Sequence, residues 1–214
     1  MHQVLIDYNK VLEIPKWSKK ERHLGFQNWF NFEYKSLPSY TELKDYLNKE
    51  NNNIRSWDTH FFKQKVIFPV YEKEIYNNRN IEAIKFILEN YQNHFFEFTK
   101  HQKVDLLEMG LQIDDNDIEL LTYKFKTQLR YFEYTIHEVP RGVLYDNNGA
   151  NIEQTKENLL KLNDFESLAE QLNEDIKLFM KNCRFYYETW ISFLEDENFD
   201  SNFEQFLKRK ENKD

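Results

Sequence analysis

Three residue types that shape chains are scarce here: the 214 residues include one cysteine, four glycines and four prolines. With Cys183 alone, an intramolecular disulfide and a zinc site built from several cysteines are both excluded. Long apolar runs are missing too. VIFPV, residues 66–70, is among the longest, against the ~20 residues that a membrane-spanning helix needs. The start, MHQVLIDYNKVLEIPK, lacks a basic opening followed by an apolar block, so it does not read as a secretory signal. Period-two alternation is almost absent, and the best strand candidates are the short QVLIDY (residues 3–8) and VLYD (residues 143–146). A cytoplasmic protein rich in helix is the simplest expectation.

What the chain does have is aromatic material. Phe (19) and Tyr (13) are abundant and hydrophobic residues make up 40%, enough to fill a core and to argue against global disorder. Enrichment in Asn, Lys, Ile, Phe and Tyr suits an AT-rich, bacterial genome. The net charge is −8, unevenly spread. Residues 1–40 carry six basic against four acidic groups, and residues 41–100 nine of each. Residues 101–200 carry ten basic against twenty-one acidic groups. A field of that sign disfavours nucleic acid and anionic membrane and favours a basic protein partner.

Apolar residues recur at spacings of three and four nearly throughout. Ser39 and Glu42 form a capping box, starting a helix that runs to about Lys49. Trp57, Phe61, Phe68, Tyr71 and Ile75 mark a second stripe, which Pro69 should kink or split. After a turn at Asn77–Asn80, a third stripe runs through Ile81, Ile84, Leu88, Tyr91, Phe95 and Phe98. Val104, Leu107 and Leu111 follow, then Asp114–Asp117 as the cap of a stripe from Ile118 to Ile136. A helix from Asn151 should break at Asn163–Asp164. Leu168, Leu172, Ile176, Phe179, Cys183, Tyr186, Trp190 and Leu194 then lie on one stripe, predicting a long C-terminal helix over about 164–195. Ser201 and Glu204 supply a second capping box. The expectation is an all-α single domain over 1–214, an irregular multi-helix bundle or stacked helical hairpins of about seven to nine helices. Residues 1–38 would pack on it as an aromatic-rich segment, and 208–214 would fray.

One junction resembles a known family. KVDLLEMGLQIDDNDIELL, residues 103–121, is similar to the boundary between tetratricopeptide-type hairpins, with Gly110, Leu111, Asp114 and Asn116 carrying the likeness. Asp115 stands where the turn proline is usual, and Phe125 where a small residue is usual. The resemblance implies stacked helical hairpins.

The side chains that carry chemistry form no familiar signature. The histidines are His2, His23, His60, His94, His101 and His137, with no H-E-x-x-H among them. His94 and His101 share a helix face but stand about 10 Å apart along its axis. His60, His94 and His137 could converge from three helices, yet nothing in their spacing asks for it, so neither a metal nor a cofactor is expected. Glu133, His137 and Glu138 are the candidate catalytic residues, one helical turn of acid and base with Arg141 beyond. The structural alternative is that His137 serves the negative end of the helix dipole and Pro140 stops the helix. Cys183 lies on the apolar stripe, where a thiol is usually inert. Asp146–Gly149 reads as a turn rather than a calcium loop. Between Lys16 and Lys35, lysines alternate with Trp17, Phe26, Trp29, Phe30, Phe32 and Tyr34, a mixture that can bind single strands but here suits packing on the bundle.

The long segment HEVPRGVLYDNNGAN, residues 137–151, holds Pro140, Gly142 and Gly149, and long loops in helical domains often carry function. Arg141, Tyr145, Asp146 and Asn147, with Glu195, Asp196 and Glu197, are the candidate partner-binding residues. The function expected is binding rather than catalysis: a bacterial immunity or antitoxin type of protein that caps a basic partner, such as a toxin. Two alternatives stay open. One is a helical-bundle enzyme, metal-dependent or not, using His137 with Glu133 or Glu138; the other is a helical-repeat scaffold for a peptide.

Overall fold

Every regular element is a helix, and no strand occurs among the described residues, which in the computed structural model are 1–50, 60–90, 103–139, 141–143, 149–196 and 202–211. They form ten helical runs, more than the seven to nine expected. The chain divides into two compact units, Met1–Asp115 and Asn116–Asp214. The helix–turn–helix bearing the tetratricopeptide likeness straddles that boundary.

In the first unit α1 is Gln3–Glu13, so QVLIDY is helix and not strand. Val4, Leu5, Tyr8 and Val11 recur with helical period and are buried, which outweighs the β-branched opening. α2, Lys19–Asn31, lies against α1 through Gly25, where an added Cβ would stand 2.8 Å from Ile14 Cδ1. Trp29 Nε1 donates to the Val4 carbonyl at 3.0 Å. Around it Tyr8 packs on Phe62 at 4.3 Å, Trp29 at 4.9 Å and Phe26 at 5.8 Å between ring centroids. Burying each such ring contributes about 2 kcal/mol.

The expected capping box starts α3, Tyr40–Glu50: Glu42 N donates to Ser39 Oγ at 3.3 Å and Ser39 N to Glu42 Oε2 at 3.0 Å. α4 is one run of His60–Phe62, a π-helical Lys63–Ile67 and Phe68–Asn78. Pro69 neither splits nor ends it. The π-turn immediately before Pro69, with Phe68 N bonded to the Lys63 carbonyl, widens the helix where the ring would otherwise strike a carbonyl one turn back. Arg79 in the left-handed region (φ 50°) ends α4, and Asn80 caps α5, Ile81–Asn90, as the turn residues suggested. Tyr91, Phe95 and Phe98 of the expected third stripe lie outside the described residues. α6, Lys103–Ile113, packs on α5.

In the second unit the Asp117 carboxylate accepts from Glu119 N and Leu120 N, both at 3.0 Å, and starts α7, Ile118–Ile136. α8 is Ile152–Gln171, opened by a capping box of Asn151 and Gln154. It runs straight through Asn163–Asp164, which sit on its exposed side and break nothing. The long helix expected over 164–195 does not form. α8 stops at Leu172 and α9, Lys177–Glu195, starts anew. Asn173 takes φ 61°, its N–H reaches the Glu170 carbonyl (3.1 Å), and Glu174 N reaches Ala169 O (2.9 Å). Those two bonds are a Schellman stop, with asparagine in the left-handed position. α10, Phe203–Glu211, is capped one residue later than expected, by Asn202 Oδ1 accepting from Gln205 N at 3.1 Å.

The core of this unit stacks Phe165 between Phe125 (5.1 Å) and Phe132 (5.2 Å), with Leu162, Met180, Cys183 and Tyr187 around them. Trp190 meets Phe203 edge-on at 4.8 Å, tying α9 to α10. Polar groups are threaded through this core. Thr135 and Tyr187 share a buried hydroxyl contact, and Tyr131 OH donates to Asn158 Oδ1 at 2.7 Å.

Candidate functional site

The end of α7 holds the cluster proposed from sequence. His137 is the C-cap of α7; its Nδ1 hydrogen-bonds the Tyr134 carbonyl and its ring stacks on Tyr134 at 4.9 Å. Nε2 stands 3.2 Å from Glu138 Oε1, and Glu138 Oε2 stands 3.4 Å from Arg141 Nη1. The structure therefore brings His137, Glu138 and Arg141 together, while Glu133 is exposed and outside the cluster. Both imidazole nitrogens face acceptor oxygens. That arrangement ties the ring to the carbonyl end of the helix at Tyr134 and to Glu138 beyond it. His137 and Arg141 are exposed and Glu138 is half-buried.

Beyond the cluster, the two ends of the long segment are fastened. Ala150 N donates to the Val143 carbonyl at 2.7 Å, and both side chains are buried. Gly149 has φ 77°, and a Cβ there would lie 2.5 Å from Trp190 Cζ2. Trp190 Nε1 donates to Ala150 O at 2.8 Å. Only glycine satisfies both the backbone angle and the close ring. Tyr145, Asp146 and Asn147 lie outside the described residues, as does Pro140. Gly149, Ala150, Asn151, Ile152, Glu153 and Leu194 line a shallow, widely open groove of about 560 Å³.

Next to that groove the acidic character becomes specific. The buried side of α8 is Asn158, Leu162, Phe165 and Ala169. On its exposed side lie Glu153, Glu157, Leu160 and Asp164, with Leu160 at 67% of its full accessibility, and Lys156 shares that side. The neighbouring cations are already engaged: Lys156 with Glu195 at 4.0 Å, Lys161 over the Tyr131 ring at 5.8 Å, Arg184 with Glu166 at 2.7 Å. Among the described residues Glu153, Glu157 and Asp164 have no ion pair. Glu195 and Asp196 close α9, Glu195 meets Lys156, and Glu197 of the expected acidic trio lies outside the described residues.

None of the family models, curated proteins or solved structures compared with this chain matches it. Geometry therefore carries the functional reading.

The remaining sequence candidates divide plainly. Among the described residues no three His, Cys, Asp or Glu side chains gather as metal ligands, and His94 and His101 lie outside them. Burial pushes the Cys183 thiol up to about 12, which makes it a poor nucleophile. In the basic-aromatic segment, Phe26 and Trp29 pack inward as expected, whereas Trp17 and Phe32 are exposed. Sequence reasoning missed Lys65, whose ammonium donates to the Phe30 and Phe32 carbonyls at the end of α2 and lies 5.4 Å from the Trp29 ring centroid and 5.0 Å from that of Tyr34. It placed Trp190 on the apolar stripe but missed its hydrogen bond to Ala150. The signal was Gly149 itself, a glycine following two asparagines.

Proposed function

We propose that this chain is a binding protein whose second unit presents an acidic face to a basic partner protein, in the manner of bacterial immunity or antitoxin proteins. The charge partition carries this reading. Residues 116–214 hold thirteen basic against twenty acidic groups, a balance of −7, whereas residues 1–115 hold sixteen against seventeen. Within that unit Glu153, Glu157 and Asp164, without an ion pair among the described residues, are exposed on α8, while Lys156 and Lys161 of the same helix meet Glu195 and the Tyr131 ring. Such a face speeds association with a cationic surface and selects against anionic ones.

The fastened mouth of the 143–150 segment supports the same reading, because a binding loop gains affinity when its ends are already fixed. The test is affinity capture from the native organism by the full chain at low and high salt, beside a Glu153→Lys, Glu157→Lys, Asp164→Lys variant. A basic protein retained at low salt, released at high salt and lost with the variant supports the reading. A partner retained equally by the variant, or an acidic one, overturns it.

A further inference from the structure

A different surface, in the first unit, is left without an explanation by this reading. Trp17 sits in the turn before α2 with 84% of its surface exposed, and among the described residues it meets no ring and makes no hydrogen bond. An indole is apolar along its body and polar at one edge, and is enriched at interfaces where one end is apolar and the other wet. Leu24, 54% exposed, follows on the outer side of α2, one turn beyond Lys20. The inner side of the same helix already spends Phe26 and Trp29 on the core. α2 therefore has apolar side chains on both sides, and among the described residues Leu24 on the outer side stays exposed.

The charge around the indole is mostly positive. Lys16, Lys19, Lys20 and Arg22 stand against Glu21 over residues 16–24. Arg22 is drawn inward, with its guanidinium 5.6 Å from the Phe26 ring centroid, and Glu21 accepts from the Ser18 hydroxyl. Lys16, Lys19 and Lys20 are exposed and, among the described residues, have no ion pair.

We propose that this turn and the outer side of α2 dock on an anionic lipid surface, the Trp17 indole entering the headgroup layer and the three lysines meeting lipid phosphates. The apolar groups protrude from a turn and a helix instead of lining a groove, which fits a deformable interface better than a rigid protein pocket. Tryptophan with flanking lysines is the combination that interfaces favour, since each side chain is apolar along its body and polar at its tip. The chain's net charge of −8 does not oppose this, because the unit bearing the patch is nearly balanced and salt screens charges beyond roughly 8 Å.

The test is co-sedimentation of the full chain with phosphatidylcholine vesicles, with and without phosphatidylglycerol. Binding to the anionic vesicles alone is expected. Trp17→Ala should weaken it about tenfold, and Lys16→Ala, Lys19→Ala, Lys20→Ala together on the order of a hundredfold. These residues are exposed, so unchanged circular dichroism and thermal unfolding confirm that each variant is folded. Equal binding to neutral vesicles, no binding to anionic ones, or full binding by either variant overturns the proposal. So does preferential binding of oligo(dT) or polyglutamate that depends on the same residues, which assigns the patch to nucleic acid or to an acidic protein.

Discussion

Trp190 and Gly149 are in contact to the limit of what atoms allow: a Cβ on Gly149 would stand 2.5 Å from Trp190 Cζ2 and 3.0 Å from Cη2. The glycine also holds φ 77°, so Gly149→Ala would meet backbone strain and a fixed ring together. A loss of about 2–4 kcal/mol is expected, read as a lower unfolding midpoint of the full chain in urea. A change within about 0.5 kcal/mol would show that the ring moves freely, and the fastened mouth would not exist.

The indole N–H of Trp190 has its own part. Trp190→Phe keeps most of the packing but leaves the buried Ala150 carbonyl without its 2.8 Å donor. A cost of about 1–3 kcal/mol follows from an unsatisfied buried acceptor. Amide exchange at Ala150, whose N–H bonds Val143 O, should speed up in the same variant. Unchanged exchange there would separate the indole from the loop closure.

Asn173 gives a cleaner backbone test. In the left-handed position of the α8 stop, Asn173→Gly should hold or raise stability, while Asn173→Ala should cost about 1 kcal/mol against the glycine variant. Paired thermal melts check this. If alanine and glycine behave alike, the stop between α8 and α9 is not set at this residue.

Cys183 is fully buried, with its thiol pushed up to about 12 by desolvation. Reaction with a water-soluble disulfide reagent should be negligible in the native protein at pH 8 and complete after denaturation. Rapid native labelling would mean that the core of the second unit opens readily.

Much of the fold was legible in the sequence. The all-helical class follows from the three-and-four spacing, and local caps at Ser39, Asn80, Asp117 and Asn151 begin helices. Punctuation inside continuous stripes was not legible. Leu168 to Leu194 keeps its apolar period across Asn173, and α8 and α9 each turn an apolar side into the same unit, so periodicity alone hides the turn. Asn163 and Asp164 mislead in the opposite direction: turn-forming residues on an exposed helix side cost little and stop nothing. Pro69 was absorbed by a π-turn, a backbone adjustment with no side-chain signature. At the candidate site, His137 as a helix end was readable from Pro140, but its pairing with Glu138 instead of Glu133 depends on the turn beyond the helix.

The central claim, that the outer side of α8 recognises a cationic protein surface, meets its most direct test in association kinetics. With the captured partner purified, its association rate constant would be measured against ionic strength for the wild type and for the Glu153→Lys, Glu157→Lys, Asp164→Lys variant. A steep fall with salt in the wild type, on the order of tenfold or more, and a slow, nearly flat profile in the variant are expected. Parallel profiles for the two proteins would contradict the claim, because the three carboxylates would then have no part in the encounter.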